Sequence, residues 1–342
     1  MRICVLGAGG LGSVLGARLA EAGVEVTLVA RPAHAAAIEA RGLTLTGIRG
    51  ESVVTGNLAA VSDPGDAAGD FDYLLVTVKA KDTDAALTAA ASLRDRSATV
   101  LSLQNTVCKE DELAAWAGVD RVIGASTIEG GTLVEPGVVR HTATAPTTAY
   151  FGELDGTDTA RVADLVGAFD KAGFASRAVT DIRHVEWEKL LQISVVASWS
   201  ASTLGALGGS VAQGLLVRES AEHYVQLATE LLAVYRALGY EPVDYYAPFS
   251  RFRELDAWTF DGAVEQMTAL GRSMDEQGLH GRVSLHDDLL RGRTTELDFC
   301  VGAYLAEADR LGLRVPTVRA AYRIAKAQEH WLTGLGGVTP VL

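Results

Sequence analysis

The chain has 342 residues, a formal net charge of −13 and a pI of about 5.0. A hydrophobic content of 48% and a mean hydropathy of +0.17 allow sizeable cores and exclude a disordered chain. The acidic balance disfavours non-specific binding to nucleic acids or to anionic membranes, and it leaves room for a local basic pocket that binds a phosphate. The length predicts two domains of ordinary size.

The cysteine pattern and the apolar segments indicate a cytoplasmic protein. Cys4, Cys108 and Cys300 are odd in number and far apart, which fits packed thiols in a reducing compartment better than disulfides. We recognise no signal peptide, and no uncharged apolar stretch reaches the roughly 18 residues that a membrane span needs. The segment LLQISVVASWSASTLGALGG contains serines and a glutamine, so it predicts a helix buried in protein.

The N-terminal residues predict a strand, a helix and a second strand. Residues 2–6, RICVL, fit a strand that is buried on both faces. Apolar residues then recur at helical spacing from Leu11 to Leu19, and Gly23 is a suitable residue to end the helix. Residues 24–30, VEVTLVA, form the next strand, which completes a βαβ unit.

Glycines fill the turn between the first strand and this helix. Gly7, Gly9 and Gly12 match the spacing of a dinucleotide-binding turn, and Gly10 and Leu11 complete it. A diphosphate needs close approach of backbone N–H groups at a helix N-terminus, which a side chain on Gly7 or Gly9 would obstruct. Gly12 lets the helix pack close to the strand. A purely structural turn is the alternative, but the βαβ context favours a cofactor site.

Arg31 follows the second strand, where a protein that binds NAD normally carries an acidic residue. Val29 and Ala30 offer no carboxylate. A carboxylate would repel a 2′-phosphate, whereas a guanidinium pairs with it. Arg31 therefore predicts NADPH rather than NADH, and the alternative is a solvated loop residue.

Short apolar runs alternate with helical segments up to about residue 180. We predict strands in LTLTG, SVVTG, FDYLLVTVK (71–79), TVLSLQN (99–105) and RVIGAST (121–127), helices over residues 33–41 and, capped by Asp82, over 82–93, and a hairpin of GVVRHT with TTAYFGEL around residues 137–154. Helical periodicity then dominates over residues 182–204, 215–238, 259–276, 295–312 and 316–333. The fold class is therefore α/β, with a Rossmann-like doubly wound sheet in an NADP-binding domain (1–180) and an all-helical substrate and catalytic domain (181–342).

Two polar residues follow neighbouring strands of this sheet. Lys79 ends the run FDYLLVTVK, and Asn105 ends TVLSLQN. Ligands of such sheets bind beyond the carboxyl ends of the strands, so both side chains are expected near the nicotinamide half of the cofactor. Each alone is also compatible with an ordinary turn residue.

The helical half contains three candidate site residues. Lys189 stands among apolar residues, where burial would lower its pKa and favour proton donation; snorkelling to the surface is the alternative. Ser284 and Glu296 flank an RGR loop that could bring both into one cleft, although Glu296 is also typical of a helix start.

These segments together resemble the ketopantoate reductase family over nearly the whole chain. The matching stretches are GAGGLG, LVAR, VKAKDT, LQN, PGVVRH, WEKL and SLHDDLLRGRTTELD, and their joint order is more specific than any one of them. The resemblance implies a Rossmann domain followed by a helical domain, and reduction of the ketone of a 2-oxo acid by NADPH. Within LVAR, Arg31 matches the family arginine that binds the 2′-phosphate.

The resemblance also implies roles for the other candidate residues. Lys189 would be the general acid that protonates the carbonyl oxygen, and Glu296 would orient Lys189 and the substrate hydroxyl. Ser284 would hold the substrate carboxylate. Asn105 would contact the cofactor or the substrate, and Lys79 matches the family lysine that follows the VK strand.

The chain departs from the family pattern at several positions. The family commonly reads KLxxNxxxNPL after its lysine, and this chain reads KLLQISVVAS, with Ile193 and Ala197 in place of the two asparagines. Thr106 stands for the glycine of QNG, and Val283 for the first of two serines. Since the asparagines bind polar parts of ketopantoate in the family, the sequence predicts a poor fit to ketopantoate itself.

Three functions remain open from the sequence. The first is reduction of ketopantoate or a related 2-oxo acid. The second is reduction of a larger apolar ketone, or of an imine, in a specialised biosynthetic pathway. The third is an NADPH-binding regulator without catalysis, against which the presence of Lys189 and Glu296 argues. We expect a small-molecule carbonyl substrate and no metal, and the long C-terminal helices could support a homodimer.

Overall fold

The computed structural model describes residues 1–143, 145–247 and 250–334, without the side chains of residues 204, 206 and 256. The chain divides into two compact units, the first from Met1 to Glu186 and the second from Trp187 onward. The division lies within the helix Ile182–Ser202, a few residues beyond the boundary expected after residue 180.

Within its described residues, the first unit contains the strands and the helices α1 to α6. Its described strands are β1 (Arg2–Leu6), β2 (Glu25–Val29), β3 (Leu43–Gly47), β4 (Ser52–Val54), β5 (Leu58–Val61), β6 (Phe71–Val76), β7 (Ser97–Ser102), β8 (Ile123–Thr127), β9 (Gly130–Glu135), β10 (Val138–Ala143), β11 (Ala149–Glu153) and β12 (Ser176–Ala178). Its described helices are α1 (Gly10–Glu21), α2 (Pro32–Arg41), α3 (Thr83–Ala89), α4 (Ala91–Arg94), α5 (Lys109–Ala117) and α6 (Ala160–Lys171).

The central sheet is parallel, with strand order β5-β2-β1-β6-β7. Successive residues of β1 enter two different cores, because side chains of a strand alternate between its faces. Ile3 and Val5 join the core that includes α1 and α6, whereas Cys4 and Leu6 join the core of α3 to α5. The predicted Rossmann-like fold with helices on both faces is therefore confirmed.

The predicted hairpin of residues 137–154 is wrong. β10 pairs with β9 in the sheet β4-β3-β10-β9, whereas β11 pairs with β8 and β12 in a third sheet. The turn that forms the hairpin lies before β10, at Pro136 and Gly137, where Gly137 has a φ of +82°. Because β9 begins with two glycines and is only half-buried, its residues lack the apolar alternation that marked the other strands.

Two predicted elements end earlier or divide. Strand β6 stops at Val76, where its pairing with β1 ends, because the chain of β1 turns at Gly7. The helix expected over residues 82–93 is interrupted at Ala90, so α3 and α4 are separate. The Asp82 side chain forms no cap hydrogen bond within the described residues.

The second unit is helical, as predicted. Its described helices, the first of which begins in the first unit, are α7 (Ile182–Ser202), α8 (Val211–Leu216), α9 (Arg218–Ala237), α10 (Phe252–Ala257), α11 (Phe260–Glu276), α12 (Ser284–Leu290), α13 (Leu297–Arg310) and α14 (Pro316–Gly334). Among the described helices none combines the length and the hydropathy needed to cross a membrane.

Candidate active site

The turn after β1 requires glycine at its first position. Gly7 has a φ of +96°, and the N–H groups of Gly7 and Ala8 both donate to the carbonyl oxygen of Val29, at 3.1 and 2.9 Å. A Cβ atom on Gly7 would lie 2.4 Å from the Val78 side chain and 2.7 Å from the Val78 nitrogen. The turn is therefore tight because three neighbouring chain segments meet there.

The N-terminus of α1 has the features of an anion site. Gly9 precedes the helix, and no side chain in the described part of the chain caps it. The N–H groups of the first turn, at Gly10, Leu11 and Gly12, lack intrahelical partners by the geometry of a helix start, and the helix dipole is positive at this end. A Cβ atom on Gly9 would meet only the Gly7 oxygen within 4 Å, at 3.9 Å, so the backbone at Gly9 leaves room for a ligand to approach closely.

Gly10 and Gly12 serve close packing in addition. A Cβ atom on Gly12 would lie 2.4 Å from the Thr77 hydroxyl oxygen and 3.1 Å from Val5, so the helix could not approach the sheet as it does. At Gly10 the Cβ atom would lie 2.1 Å from the carbonyl oxygen of Gly131 in β9. Gly131, which the sequence analysis did not single out, therefore packs against the glycine turn. The pair Gly130–Gly131 was the sequence feature that could have indicated this close contact.

Arg31 lies beside this turn, because β2 is the neighbour of β1 and Leu6 pairs with Val29. Its side chain is exposed, and within residues 1–143, 145–247 and 250–334 no group forms a hydrogen bond or an ion pair with its guanidinium. Arg31 also precedes the N-terminus of α2, which adds a second positive helix end. The guanidinium is available to an anion at the edge of the sheet.

Lys79 and Asn105 also lie at the carboxyl edge of the sheet. Lys79 is exposed and stands three residues after β6, and Asn105 is half-buried and follows β7 by three residues. Since β6 and β7 are neighbours in the sheet, the structure brings both loops together with the glycine turn and Arg31.

Gln104 joins these two loops, and sequence reasoning missed it. Its side-chain N–H₂ donates to the carbonyl oxygen of Val78 at 2.9 Å and to the Thr83 hydroxyl at 2.8 Å. Its side-chain oxygen accepts from the Ser102 hydroxyl at 2.8 Å. The Gln104 side chain, just before Asn105, is therefore hydrogen-bonded to Val78, just before Lys79. The glutamine of the LQN stretch was the only signal in the sequence, and its partners became apparent only in the structure.

In the second unit, Lys189 lies on α7 and is 8% exposed. Two flanking residues hold the helix at this point. The Trp187 carbonyl oxygen accepts from the Tyr304 hydroxyl of α13 at 2.9 Å, and the two rings are in edge contact. The Glu188 carboxylate accepts from the backbone N–H groups of Val243 and Tyr245 at 2.6 and 2.7 Å. Lys189 is therefore a buried amine on a fixed backbone.

Ser284 and Glu296 begin neighbouring segments of the second unit. Ser284 is exposed and is the first residue of α12, while Glu296 is half-buried and directly precedes α13. Because Tyr304 of α13 contacts Trp187, the helix that follows Glu296 packs against α7 two residues before Lys189.

The residue before Glu296 is fastened to the last described helix. The Thr295 N–H and hydroxyl both donate to the Glu329 carboxylate of α14, the N–H at 2.9 Å. The Lys326 ammonium donates to the same carboxylate at 2.9 Å. Burial alone would raise the pKa of Glu329, but the bonds from Thr295 and Lys326 lower it overall, so this anchor is a carboxylate.

The positions that differ from the family pattern lie on the same helix as Lys189. Ile193 is half-buried, and Ala197 is fully buried. They follow Lys189 by four and eight residues, so all three share one face of α7. That face presents hydrocarbon where the family pattern places amides.

Comparison with known proteins agrees with this architecture. The family description "Ketopantoate reductase PanE/ApbA" matches residues 3–156, and "Ketopantoate reductase PanE/ApbA C terminal" matches residues 181–329. The chain belongs to the ketopantoate reductase family. The family consists of oxidoreductases, and the resemblance noted in the sequence is thereby confirmed.

Individual members of the ketopantoate reductase family match along their whole length. A 2-dehydropantoate 2-reductase of Halobacterium salinarum is 30% identical, with 93% of this chain and 96% of that protein covered. The crystal structure of a PanE/ApbA family ketopantoate reductase from Ralstonia eutropha JMP134 has a TM-score of 0.78 and 28% identity, covering 97% of this chain and 99% of that one. D-mandelate dehydrogenase with NADH and anilino(oxo)acetate, at 19% identity, 97% and 99% coverage and a TM-score of 0.76, shares the fold.

Proposed function

We propose that this family member is an NADPH-dependent reductase of a 2-oxo acid or a related ketone. The observation that carries the proposal is the uncapped, glycine-lined N-terminus of α1 beside the exposed guanidinium of Arg31. A diphosphate suits the first feature, and a 2′-phosphate suits the second. The nicotinamide cofactor that these residues hold would supply the hydride to the carbonyl carbon.

The remaining residues act on the substrate. Lys189 meets the negative charge that develops on the carbonyl oxygen and donates a proton to it. Glu296 orients the Lys189 ammonium, and Ser284 holds the substrate carboxylate. Asn105, fixed through Gln104, binds at the nicotinamide end. The buried position of Lys189 supports its role, because charge stabilisation is stronger where water is excluded.

A second candidate follows from Ile193 and Ala197. Without the two family amides, the face of α7 beyond Lys189 suits a carbonyl compound with an apolar substituent better than ketopantoate. A larger apolar ketone or an imine is therefore the alternative substrate class. The family fold accommodates related compounds, since D-mandelate dehydrogenase shares it.

The decisive experiment is a panel assay of NADPH oxidation with ketopantoate, aliphatic and aromatic 2-oxo acids, simple ketones and cyclic imines. We expect ketopantoate to be a poor substrate, with kcat/KM well below about 10⁶ M⁻¹s⁻¹, and an apolar carbonyl compound to be better. A ketopantoate value of about 10⁶ M⁻¹s⁻¹ or more would show that the asparagines are dispensable.

Matched variants make the substrate assignment sharper. Ile193→Asn restores one amide at a half-buried position and should raise kcat/KM for ketopantoate by about tenfold or more, because a polar substrate group regains its partner. Ile324→Asn, on the exposed side of α14, should leave it unchanged. Binding of NADPH without turnover of any compound would instead favour the regulator.

A further inference from the structure

Three buried ionisable side chains and the partly exposed Arg183 form a cluster next to the loop that carries Asn105. The Lys109 ammonium lies 2.7 Å from a carboxylate oxygen of Glu110 and 2.7 Å from one of Glu186. The Arg183 guanidinium donates to Glu110 at 2.8 Å and lies 3.6 Å from Glu186. Lys109, Glu110 and Glu186 are each less than 5% exposed. All four residues belong to the first unit.

The cluster is attached directly to the loop of residues 105–108. The same Arg183 nitrogen that binds Glu110 also donates to the carbonyl oxygen of Val107, at 3.0 Å. Lys109 and Glu110 are the first two residues of α5, immediately after the loop. The Glu186 carboxylate accepts from the backbone N–H of Ala125 in β8 at 3.2 Å, so the cluster is anchored to the sheet.

Burying the charges of Lys109, Glu110 and Glu186 is costly, which indicates that this arrangement has a purpose besides stability. Ion pairs in a protein interior are often no more stable than apolar side chains of the same volume. The Arg183 guanidinium also lies 3.2 Å from the Asp111 carboxylate, and a single one of its nitrogens donates to both the Glu110 carboxylate and the Val107 carbonyl oxygen. What the cluster provides is a fixed position for the Val107 carbonyl group.

We propose that Arg183 is a positioning residue that holds residues 105–108, and with them the Asn105 side chain, in the geometry used at the nicotinamide end of the site. Gln104 fixes the other end of the same loop through Val78 and Thr83. Asn105 is thus held from both sides, by an amide before it and a guanidinium after it. This inference rests on the proposed function for its catalytic consequence, and its structural content is independent of any substrate.

The cluster can tolerate removal of the guanidinium. Burial, followed by the charge of Glu186, raises the pKa of Glu110 to about 8. The Lys109 ammonium lies 2.7 Å from both Glu110 and Glu186, so both carboxyl groups keep a partner when Arg183 is replaced by a neutral residue. We expect Arg183→Met to fold.

The first test measures the loop itself by hydrogen–deuterium exchange in the full chain. Arg183→Met should speed exchange of the backbone amides of residues 105–108 by about tenfold or more, since the loop loses the hydrogen bond from Arg183 to Val107. Arg183→Lys keeps the charge but not the guanidinium fork, and should fall between the parent and Arg183→Met. Arg177→Met removes an exposed arginine of β12 and should change nothing. Unchanged exchange in Arg183→Met would overturn the proposal.

The second test uses turnover of the best carbonyl substrate from the panel. Arg183→Met should lower kcat/KM by up to about 10²-fold, as a small misplacement of a site residue can, while NADPH affinity stays within about threefold of the parent. Guanidinium ions added to Arg183→Ala should restore part of the loss, and should not affect Arg177→Ala. Full activity in Arg183→Met would contradict the positioning role. If the parent reduces no compound, the proposed function fails, and the exchange experiment still decides the role of Arg183.

Discussion

At the scale of single residues, the candidate binding side chains at the strand ends were easier to predict than the side chains that hold their loops. Arg31 and Lys79 were identifiable because a strand end in an α/β sheet is a known place for ligand contacts. Gln104 was not, since its partners Val78 and Thr83 lie on a different strand and a different turn of the chain. A supporting hydrogen bond depends on which segments become neighbours, and one segment alone does not contain that information.

Cofactor choice is expected to depend on Arg31. Arg31→Ala should weaken NADPH binding by about one to two orders of magnitude and leave NADH binding nearly unchanged, because only NADPH offers the 2′-phosphate. Fluorescence titration of both cofactors measures this, with Arg177→Ala as an exposed control. Equal affinities of the parent for NADPH and NADH, or an unaltered NADPH affinity in Arg31→Ala, would show that Arg31 is only a solvated loop residue.

Proton donation is expected to depend on Lys189. Lys189→Ala should lower kcat by a factor of about 10² or more, which is typical for loss of a general acid, and should hardly change NADPH affinity. Lys189→Arg should not restore the rate, because a guanidinium does not readily release a proton. Turnover of the alanine variant within a few-fold of the parent would make Lys189 a packing residue and Lys79 the next candidate.

Burial of the neutral His34 ring predicts that the protein loses stability at acidic pH. Its Nδ1 accepts from the Gly137 N–H at 2.9 Å, so the proton is on Nε2, which lies 3.0 Å from the Ser13 hydroxyl oxygen. Burial lowers the pKa of His34, so the folded protein favours the neutral ring. The stability that comes from keeping His34 neutral is fully present above the unfolded-state pKa of about 6.5. It is lost as the pH falls from there through the lowered pKa of the folded state.

Thermal unfolding at pH 7.5 and pH 5.5 measures the effect of His34. The parent should lose more stability on acidification than His34→Asn, in which the titrating ring is absent. His330→Gln, at an exposed position of α14, should behave like the parent. An identical pH dependence in the parent and in His34→Asn would contradict the assignment.

At the scale of elements, periodicity identified the long helices and the buried parallel strands but not the pairing of the short ones. After residue 120, the sequence predicted strands at the positions of β8, β10 and β11, but it paired β10 with β11 wrongly. β9 was missed entirely, although Gly131 of β9 packs against Gly10 at the glycine turn.

The contact between Gly10 and Gly131 predicts that one methyl group added at Gly131 will lower the stability of the protein. A Cβ atom on Gly131 would lie 2.4 Å from the carbonyl oxygen of Gly10 and 2.5 Å from its carbonyl carbon, both of which are backbone atoms. Gly131→Ala should therefore destabilise the protein by about 1–3 kcal/mol, as overpacking does, and weaken NADPH binding. Chemical denaturation and cofactor titration measure both effects.

Gly167 provides the matched control for this substitution. It lies within α6, and an added Cβ atom meets nothing within 4 Å. Gly167→Ala should stabilise the protein by about 0.5–1 kcal/mol, because alanine loses less backbone entropy in a helix. If the two alanine variants are equally stable, β9 and α1 are not in the close contact described.

At the scale of the whole molecule, the order of motifs along the chain was sufficient to identify the family, but it did not identify the substrate. The family is determined by segments spread from residue 3 to residue 329. Substrate choice depends on a few side chains, such as Ile193, whose effect is a difference between two affinities.

If Glu296 acts as proposed, the attachment of Thr295 to Glu329 makes the last described helix, α14, necessary for its position, although α14 lies far along the chain. Glu296 owes its position to a carboxylate that comes 33 residues later, on a helix that supplies none of the proposed catalytic groups. A frameshift or a protease cut before Glu329 would therefore act like an active-site lesion, although it removes no residue that we expect to touch the substrate. A variant of this protein that ends before Glu329 should keep the glycine turn and lose turnover, which an NADPH-oxidation assay would measure.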